Sequence, residues 1–265
     1  SAAFVWCFLF LGIWGASFLV NANTFQIASM ACSWYFARKT GHDIFFLTAI
    51  CWSWFYHLGS VAFGSLLLAI LWFIQVLLEY VYVKLKEVGV NSYWIRCAQC
   101  FVGCFERCMK FLNQHAYIEV IIRNTNFCSG MCHSISVITS NFLKYGILSG
   151  LVFTFLFLET VLVSVGTTVA GYFILMGWSK DVMNKTINTV IPQVLIFIEA
   201  MAVCFVFNAV FDIAADSMIH CYVYQKQSGG SSEDAPTALI EAVNEIPPET
   251  NMAAMPASPQ PMYSA

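Results

Sequence analysis

Five ionisable residues stand inside long apolar runs, where a charge is expensive. Glu159 and Glu199 each lie deep in such a run, and Asp212, Asp216 and His220 follow at intervals of four near the end of the last run. That interval places side chains along one face of a helix. Because hydrocarbon disfavours charge, these residues must face a partner group or a wet cavity. The pattern predicts either a binding site or path for a cation or, for Asp212 and Asp216, ion pairs with a basic neighbouring segment.

Aromatic residues make up 16% of the chain and are the second candidate for binding a cation. A quaternary ammonium cannot donate a hydrogen bond, so aromatic ring faces with a carboxylate nearby hold it best. Trp54 and Tyr56 therefore join Glu159, Glu199 and Asp216 as candidate cation-binding residues. Aromatic residues in membrane proteins also serve as packing residues or interface anchors, and the sequence leaves both interpretations open.

Four of the eleven cysteines form a row, Cys97, Cys100, Cys104 and Cys108. Their spacing places all four thiols along one face of a helix, among basic residues. Structural zinc motifs pair two knuckles across a longer loop, so no metal is expected here. The row instead predicts helix packing or S-palmitoylation. The sequence has no phosphate-binding loop, nucleophile elbow or HExxH motif, so we expect neither an enzyme nor a cofactor.

Apolar helices must position these residues. Hydrophobic residues make up 59% of the 265 positions, charged residues 10%, and the mean hydropathy is +0.72. Runs at about 4–37, 57–83, 146–176 and 190–223 each exceed the roughly 20 residues that cross about 30 Å of hydrocarbon. Within hydrocarbon, a helix satisfies the hydrogen bonds of all its backbone groups inside a single segment. We predict an all-α polytopic membrane protein with four transmembrane helices, and a fifth at 116–145 is left open.

The remaining segments suggest an orientation. Residues 84–145 form a polar helical segment close to the membrane, with seven basic residues against four in the loops on the other side. The positive-inside rule therefore predicts that this segment and the C-terminus are cytosolic. Asn184, in an Asn-Lys-Thr triplet, is a candidate glycosylation site on the outer side. The aromatic stretch 44–56 either extends the second span or lies in the interface.

The chain divides into a membrane domain, 1–225, and a tail, 226–265, rich in Pro, Ser and Gly. Such a tail is disordered in isolation, so we expect neighbouring membrane subunits to hold it. An apolar run that begins at Ser1 is typical of a processed product or of part of a longer protein. The net charge is −3 and the basic residues are scattered, so no nucleic-acid partner is expected.

Two segments resemble known motifs of the choline transporter-like family. YHLGSVAFGSL at 56–66 resembles the signature YHLGSxAFGSL, and the cysteine row followed by FLNQHAYI at 111–118 resembles the cysteine cluster and FLNxxAYI motif. The segments at 126–129 and 216–221 continue the match in order. The small pair Ser60-x3-Gly64 within the signature, like Gly166-x3-Ala170, predicts close helix packing. The signature positions, to which we assign structural roles, are His57, Gly59, Ser60, Gly64, Asn113 and Tyr117.

The resemblance implies an alternating-access carrier of about ten spans, which moves choline or related ethanolamine compounds across a plasma or organellar membrane. The family's N-terminal half has no counterpart in these residues, and Glu119 and Arg123 stand where the family tends to have small residues. Two functions are therefore predicted. One is a choline-type transporter represented by its C-terminal half, and the other is a transport-inactive structural subunit of a larger membrane assembly. The expected partners are the lipid bilayer, choline or a related cation, and neighbouring membrane subunits.

Overall fold

The computed structural model describes residues 2–40, 50–88, 93–178, 190–229 and Ile240, and in these ranges the regular structure is helical. The predicted all-α class is confirmed. The elements are α1 (Ala2–Thr40), a π-helical turn (Trp52–Tyr56), α2 (Leu58–Glu87), α3 (Tyr93–Arg123), α4 (Phe127–Ser140), α5 (Phe142–Trp178) and α6 (Val190–Gln227).

Four helices in the described part of the chain are long and apolar enough to cross a membrane. They are Ala3–Ala37, Leu58–Glu87, Phe142–Gly177 and Val190–Gln227. Each contains one of the four predicted apolar runs almost entirely, so the prediction of four membrane-spanning helices is confirmed at the level of length and composition. Asn184, residues 44–49 and nearly all of the tail lie outside the described residues.

The stretch 116–145 does not form a single helix, so the span left open there is not continuous. The chain turns at Asn124, whose φ of 52° lies in the left-handed region that Asn tolerates better than most residues. Asn126 then caps α4, because its side-chain oxygen accepts a hydrogen bond from the Ser129 backbone N–H at 3.0 Å. The polar residues at 124–126 are therefore a turn between two helices.

The predicted membrane domain divides into two compact units. Unit 1 contains α1, the π-helical turn, α2, α3, α4 and the last turns of α6 from Ser217 onward. Unit 2, Leu143–Asp216, contains most of α5 and of α6.

Aromatic contacts hold α1 against α2 in unit 1. Trp6 meets Phe73 edge-on with ring centroids 6.1 Å apart, and Phe10 meets the same ring at 5.3 Å. Further along, Phe25 lies 5.6 Å from the ring of His57 at the start of α2. Since the numbering rises on α1 while it falls on α2, the two helices run antiparallel.

A glycine allows α3 to approach α2 closely. Gly64 is buried, and a Cβ at this position would collide with the hydroxyl of Tyr117 and lie 2.9 Å from the Phe127 ring. The Asn113 side chain donates a hydrogen bond to the Gly64 carbonyl at 2.8 Å. A small residue therefore lets the backbones approach closely, and a polar side chain from the neighbouring helix bonds to the exposed carbonyl.

In unit 2, α5 and α6 pair antiparallel, and a buried polar contact joins them near the middle of α5. The Asn208 side-chain amide donates to the Leu156 carbonyl at 3.1 Å and to the Thr160 hydroxyl at 2.7 Å. No described atom lies within 4 Å of the position that a Cβ would take on Gly166. The predicted packing pair at 166–170 therefore makes no close approach among the described residues, unlike the pair that includes Gly64.

Candidate functional site

The two deep carboxylates, Glu159 and Glu199, both lie exposed on the surface of unit 2. Asn208 bonds to Thr160, so Asn208 lies level with Glu159. Glu199 precedes Asn208 by nine residues, which places it roughly 13 Å away along the helix axis at about 1.5 Å per residue. Within unit 2 they are therefore two separate charges that point away from the contact between α5 and α6.

Asp216, the third predicted carboxylate, is 8% exposed. The hydroxyl of Ser149 on α5 donates a hydrogen bond to it at 3.3 Å. Asp212, one turn earlier on α6, is exposed. The helix face predicted to carry these carboxylates therefore has an exposed carboxylate at Asp212 and a buried one, with a hydroxyl partner, at Asp216.

The two aromatic candidates belong to unit 1, in the π-helical turn that precedes α2. Trp54 is 40% exposed and packs edge-on against Phe18 with ring centroids 6.1 Å apart. Tyr56 is 75% exposed. Because the carboxylate candidates belong to unit 2, neither unit by itself contains the complete predicted cation site.

Unit 1 contains a buried ionic cluster, made by Glu119, Arg123, His115, His133 and His220, which we call the Glu119 cluster. Glu119 is fully buried. One carboxylate oxygen lies 3.0 Å from Nε of Arg123, and the other lies 3.0 Å from Nε2 of His220. Because a guanidinium is always charged, Arg123 offsets the cost of burying this carboxylate.

Further contacts extend the Glu119 cluster to α4 and to the end of α6. Nη1 of Arg123 lies 3.3 Å from Nε2 of His133, and the guanidinium stands 5.3 Å from the centre of the Tyr224 ring. The rings of His115 and His220 stack with centroids 5.5 Å apart. The cluster therefore joins α3, α4 and α6 at one end of unit 1, and its chemistry suits a fixed ionic link between helices.

Sequence reasoning did not find this cluster. It noted Glu119 and Arg123 as a departure from the small residues of the family, and it placed His220 on one helix face with Asp212 and Asp216. A partial signal was present, because a Glu and an Arg four residues apart face each other on a helix. The partner from α6 carries no such signal, since His220 lies 101 residues further along the chain.

The family-signature residues separate into buried and accessible positions. His57 is buried against Phe25, and its carbonyl accepts the Val61 N–H at 3.1 Å in the first turn of α2. Gly59 is exposed and Ser60 is half-buried. The remaining three, Gly64, Asn113 and Tyr117, form the close contact between α2 and α3.

The thiols of the cysteine row are all exposed, on the first half of α3. S-palmitoylation of these residues stays a prediction. Elsewhere in unit 1, Cys32 and Cys221 are buried with their sulfur atoms 3.3 Å apart, as free thiols. Within the described ranges, no three His, Cys, Asp or Glu side chains are placed to hold a metal ion.

Unit 2 also has a groove of about 400 Å³ between α5 and α6. The lining residues are apolar, aromatic or neutral: Thr168, Tyr172, Val190, Gln193, Val194 and Phe197. Tyr172 offers a ring, but the lining contains no carboxylate. The groove therefore lacks the charge that the predicted cation site requires.

Comparisons with known proteins agree on one family. Residues 1–227 match the family model described as plasma-membrane choline transporter. The chain is 31% identical over 248 residues to choline transporter-like 2 of Anopheles gambiae, covering 92% of this chain and 30% of that protein. It is 33% identical over 242 residues to choline transporter-like protein 2 of Dictyostelium discoideum, covering 88% and 37%. For choline transporter-like protein 2 of Bos taurus the identity is 28% over 252 residues, covering 92% and 36%. The chain thus spans about a third of the length of these relatives.

Proposed function

The chain belongs to the plasma-membrane choline transporter family, and from this membership we propose that it forms the C-terminal part of a carrier for choline or a related organic cation. The matched relatives are named as choline transporter-like proteins. The carrier would reside in a plasma or organellar membrane with its C-terminal tail in the cytosol. Transport by alternating access needs no covalent chemistry, in keeping with the absence of catalytic motifs from the sequence.

One observation carries the proposal: Glu159 and Glu199 are exposed within apolar stretches of two helices that are long enough to cross a membrane. Lipid disfavours a charge at this depth, so an exposed carboxylate in a membrane-spanning helix faces other helices or a water-filled cavity. A cavity lined by carboxylates attracts a cation. The surface of unit 2 that carries these residues is therefore the best candidate for the wall of a transport pathway.

A quaternary ammonium also needs aromatic faces, because it offers no hydrogen-bond donor. Trp54 and Tyr56 remain candidates for this role, since both rings are accessible in unit 1. Asp216 is a weaker candidate, because it is buried and accepts a hydrogen bond from Ser149. In general, a carboxylate attracts such a cation by its charge, and an aromatic face favours an alkylated amine over a small hydrated ion.

We test the proposal with Glu199→Gln in the full-length protein, followed by Glu159→Gln. The substitution keeps the shape of the side chain and removes its charge, so we expect choline uptake to fall roughly tenfold, which corresponds to about 1.4 kcal/mol. Glu87→Gln is the matched control, because Glu87 is an exposed carboxylate that pairs with Lys84 at the end of α2. Uptake of labelled choline is measured over a range of concentrations and corrected for protein at the cell surface.

Two results would count against this assignment. Unchanged uptake kinetics for Glu199→Gln and Glu159→Gln would remove the role of these carboxylates. Absence of saturable choline uptake by the purified, folded full-length protein in liposomes would favour the second function, a transport-inactive structural subunit with neighbouring membrane subunits as partners.

A further inference from the structure

A polar groove of about 410 Å³ lies between α2 and α3, two helices of unit 1. Its lining residues are Gln75, Val76 and Glu79 of α2 with Arg96 and Gln99 of α3. The lining contains one carboxylate and one guanidinium, so a ligand that matches it carries one positive and one negative group. None of the candidate cation-binding residues and no member of the Glu119 cluster is among these lining residues.

The sequence of α2 places this groove at the edge of the hydrocarbon. From Leu58 to residue 78 the helix carries no charged side chain. This stretch of about 21 residues extends over about 32 Å along the helix axis, and the hydrocarbon core of a bilayer is about 30 Å thick. Glu79 is the first charged residue after the stretch, and Tyr80 and Tyr82 follow it as aromatic residues of the kind that anchor a span at the interface. The groove therefore lies at the depth of the lipid headgroups.

Arg96 is positioned to bind a phosphate. Its guanidinium stands 3.9 Å from the centre of the Tyr82 ring, and its side chain is exposed. Its contacts with Gln99 at 3.2 Å and with Glu79 at 3.6 Å are both made by Nη1. Because a guanidinium has five N–H donors in a fixed fork, the edge outside these contacts can hold a phosphate through two hydrogen bonds. An exposed ion pair such as that with Glu79 contributes little to stability, so it yields readily to a ligand.

The opposite side of the groove suits a primary ammonium better than a quaternary one. Glu79 is exposed, and its Oε2 accepts a hydrogen bond from Gln99 at 2.6 Å. Gln75 donates through its amide nitrogen to Glu106, so its amide oxygen is the end of the side chain that can accept. A primary ammonium donates three hydrogen bonds to acceptors of this kind. A quaternary ammonium instead needs aromatic faces, and the lining residues that the structure describes include no aromatic one.

An acyl chain has a path from the groove toward the middle of the bilayer. Val76 lines the groove, Trp72 lies one turn earlier in α2, and both side chains are exposed. Residues at intervals of three and four lie on one face of a helix. Glu79, Val76 and Trp72 therefore form a strip that begins at headgroup depth and continues into the hydrocarbon.

We propose that this groove binds one molecule of phosphatidylethanolamine, whose phosphate contacts Arg96 and whose ammonium group contacts Glu79. One acyl chain extends along Val76 and Trp72. The headgroup carries one negative and one positive charge, as the lining requires, and its primary ammonium can donate to Glu79 and Gln75. This lipid site goes beyond the proposed transport function and does not depend on it.

The test measures lipid binding to the purified full-length protein by native mass spectrometry. Phosphatidylethanolamine and phosphatidylcholine with identical acyl chains are titrated separately, so the two ligands differ only in the methyl groups on the ammonium nitrogen. Glu79→Gln and Arg96→Gln alter the groove. Glu87→Gln and Lys84→Gln are the matched controls, because these two residues form an exposed ion pair at the end of α2 and are not lining residues. Thermal unfolding identifies variants that are folded.

We expect the parent protein to bind phosphatidylethanolamine about tenfold more tightly than phosphatidylcholine, because only the primary ammonium donates to the carboxylate. Glu79→Gln should abolish this preference by weakening phosphatidylethanolamine alone. Arg96→Gln should weaken both lipids by about tenfold, since both carry the phosphate. A variant that is merely less stable would not change the preference between the two headgroups.

Three results would overturn the proposal. The first is equal affinity of the parent protein for the two lipids, or an unchanged preference in Glu79→Gln. The second is an equal loss of phosphatidylethanolamine binding in the Glu87→Gln and Lys84→Gln controls, which would indicate a general effect of surface charge. The third is displacement of the lipid by an equal concentration of water-soluble phosphoethanolamine, because a ligand without acyl chains makes no use of Val76 and Trp72.

Discussion

The contact between α2 and α3 predicts that Gly64 cannot carry a side chain without cost. A Cβ there would collide with the Tyr117 hydroxyl, lie 3.0 Å from Cζ of the same ring, and lie 2.9 Å from the Phe127 ring. Both aromatic residues are buried, at 0% and 4% exposure, so neither ring has open space into which to move. We therefore expect Gly64→Ala to overpack this contact.

Two opposing effects set the magnitude. Overpacking of a well-packed core costs about 1–3 kcal/mol. Replacing a helical Gly by Ala stabilises the folded helix by about 1 kcal/mol, because Ala has the higher helix propensity. Gly59→Ala is the control, because Gly59 lies in the first turn of the same helix and no described atom lies within 4 Å of its Cβ. Gly64 lies in the helix interior and receives at least as large a gain in helix propensity, so a lower stability of Gly64→Ala than of Gly59→Ala reports the overpacking of about 1–3 kcal/mol.

The assay is thermal unfolding of the full-length protein in detergent, followed by size-exclusion chromatography. Gly64→Ala should unfold at a lower temperature than Gly59→Ala. Adding Tyr117→Phe to Gly64→Ala removes the colliding oxygen and should recover part of the loss. Tyr117→Phe alone should cost little, because its hydroxyl lies 3.5 Å from the Val61 carbonyl, at the limit of a hydrogen bond. Equal unfolding temperatures for the two alanine variants, or no recovery in the double variant, would refute this reasoning.

Two further predictions concern buried polar contacts, and both are measured by thermal unfolding. Glu119→Gln leaves the Arg123 side chain, which is 14% exposed, without its carboxylate, and it should lower the stability by about 3–5 kcal/mol. The double variant Glu119→Gln with Arg123→Met should be less destabilised, because no buried charge is left unpaired. A double variant as unstable as the single one would contradict this. Asn208→Leu removes the hydrogen bonds to α5 and should cost about 1–3 kcal/mol, and Thr160→Val should relieve part of that cost by removing the stranded hydroxyl. An Asn208→Leu variant as stable as the parent would show that this contact does not hold unit 2 together.

The apolar helices were predictable because hydropathy is a local property. A run of about 20 apolar residues has to bury its backbone groups in helical hydrogen bonds wherever it meets hydrocarbon. The four runs were therefore found from composition alone, and the helices that contain them begin and end within a few residues of the predicted bounds.

Helix α3 shows where local reasoning ends. Counted singly, Arg96, Glu106 and Asn113 make the segment too polar for a span. In the structure each meets a partner on α2 that lies between 14 and 49 residues away in the sequence. Hydropathy assigns a cost to each polar residue without its partner, so it overestimates the cost of burying a paired one.

The sequence by itself determined the helical membrane class, the family and the candidate carboxylates, aromatic residues and signature residues. The family could be identified from the sequence because the order of the signature residues along the chain can be compared directly with the family's motifs. Only the tertiary structure decided which residues of different helices meet: Gly64 with Tyr117, and Glu119 with His220. It also decided that Glu159 and Glu199 point outward from their helix pair. A contact between two helices, or the exposure of a face, depends on how the helices are rotated and aligned against one another. The periodicity of a single helix does not specify that rotation.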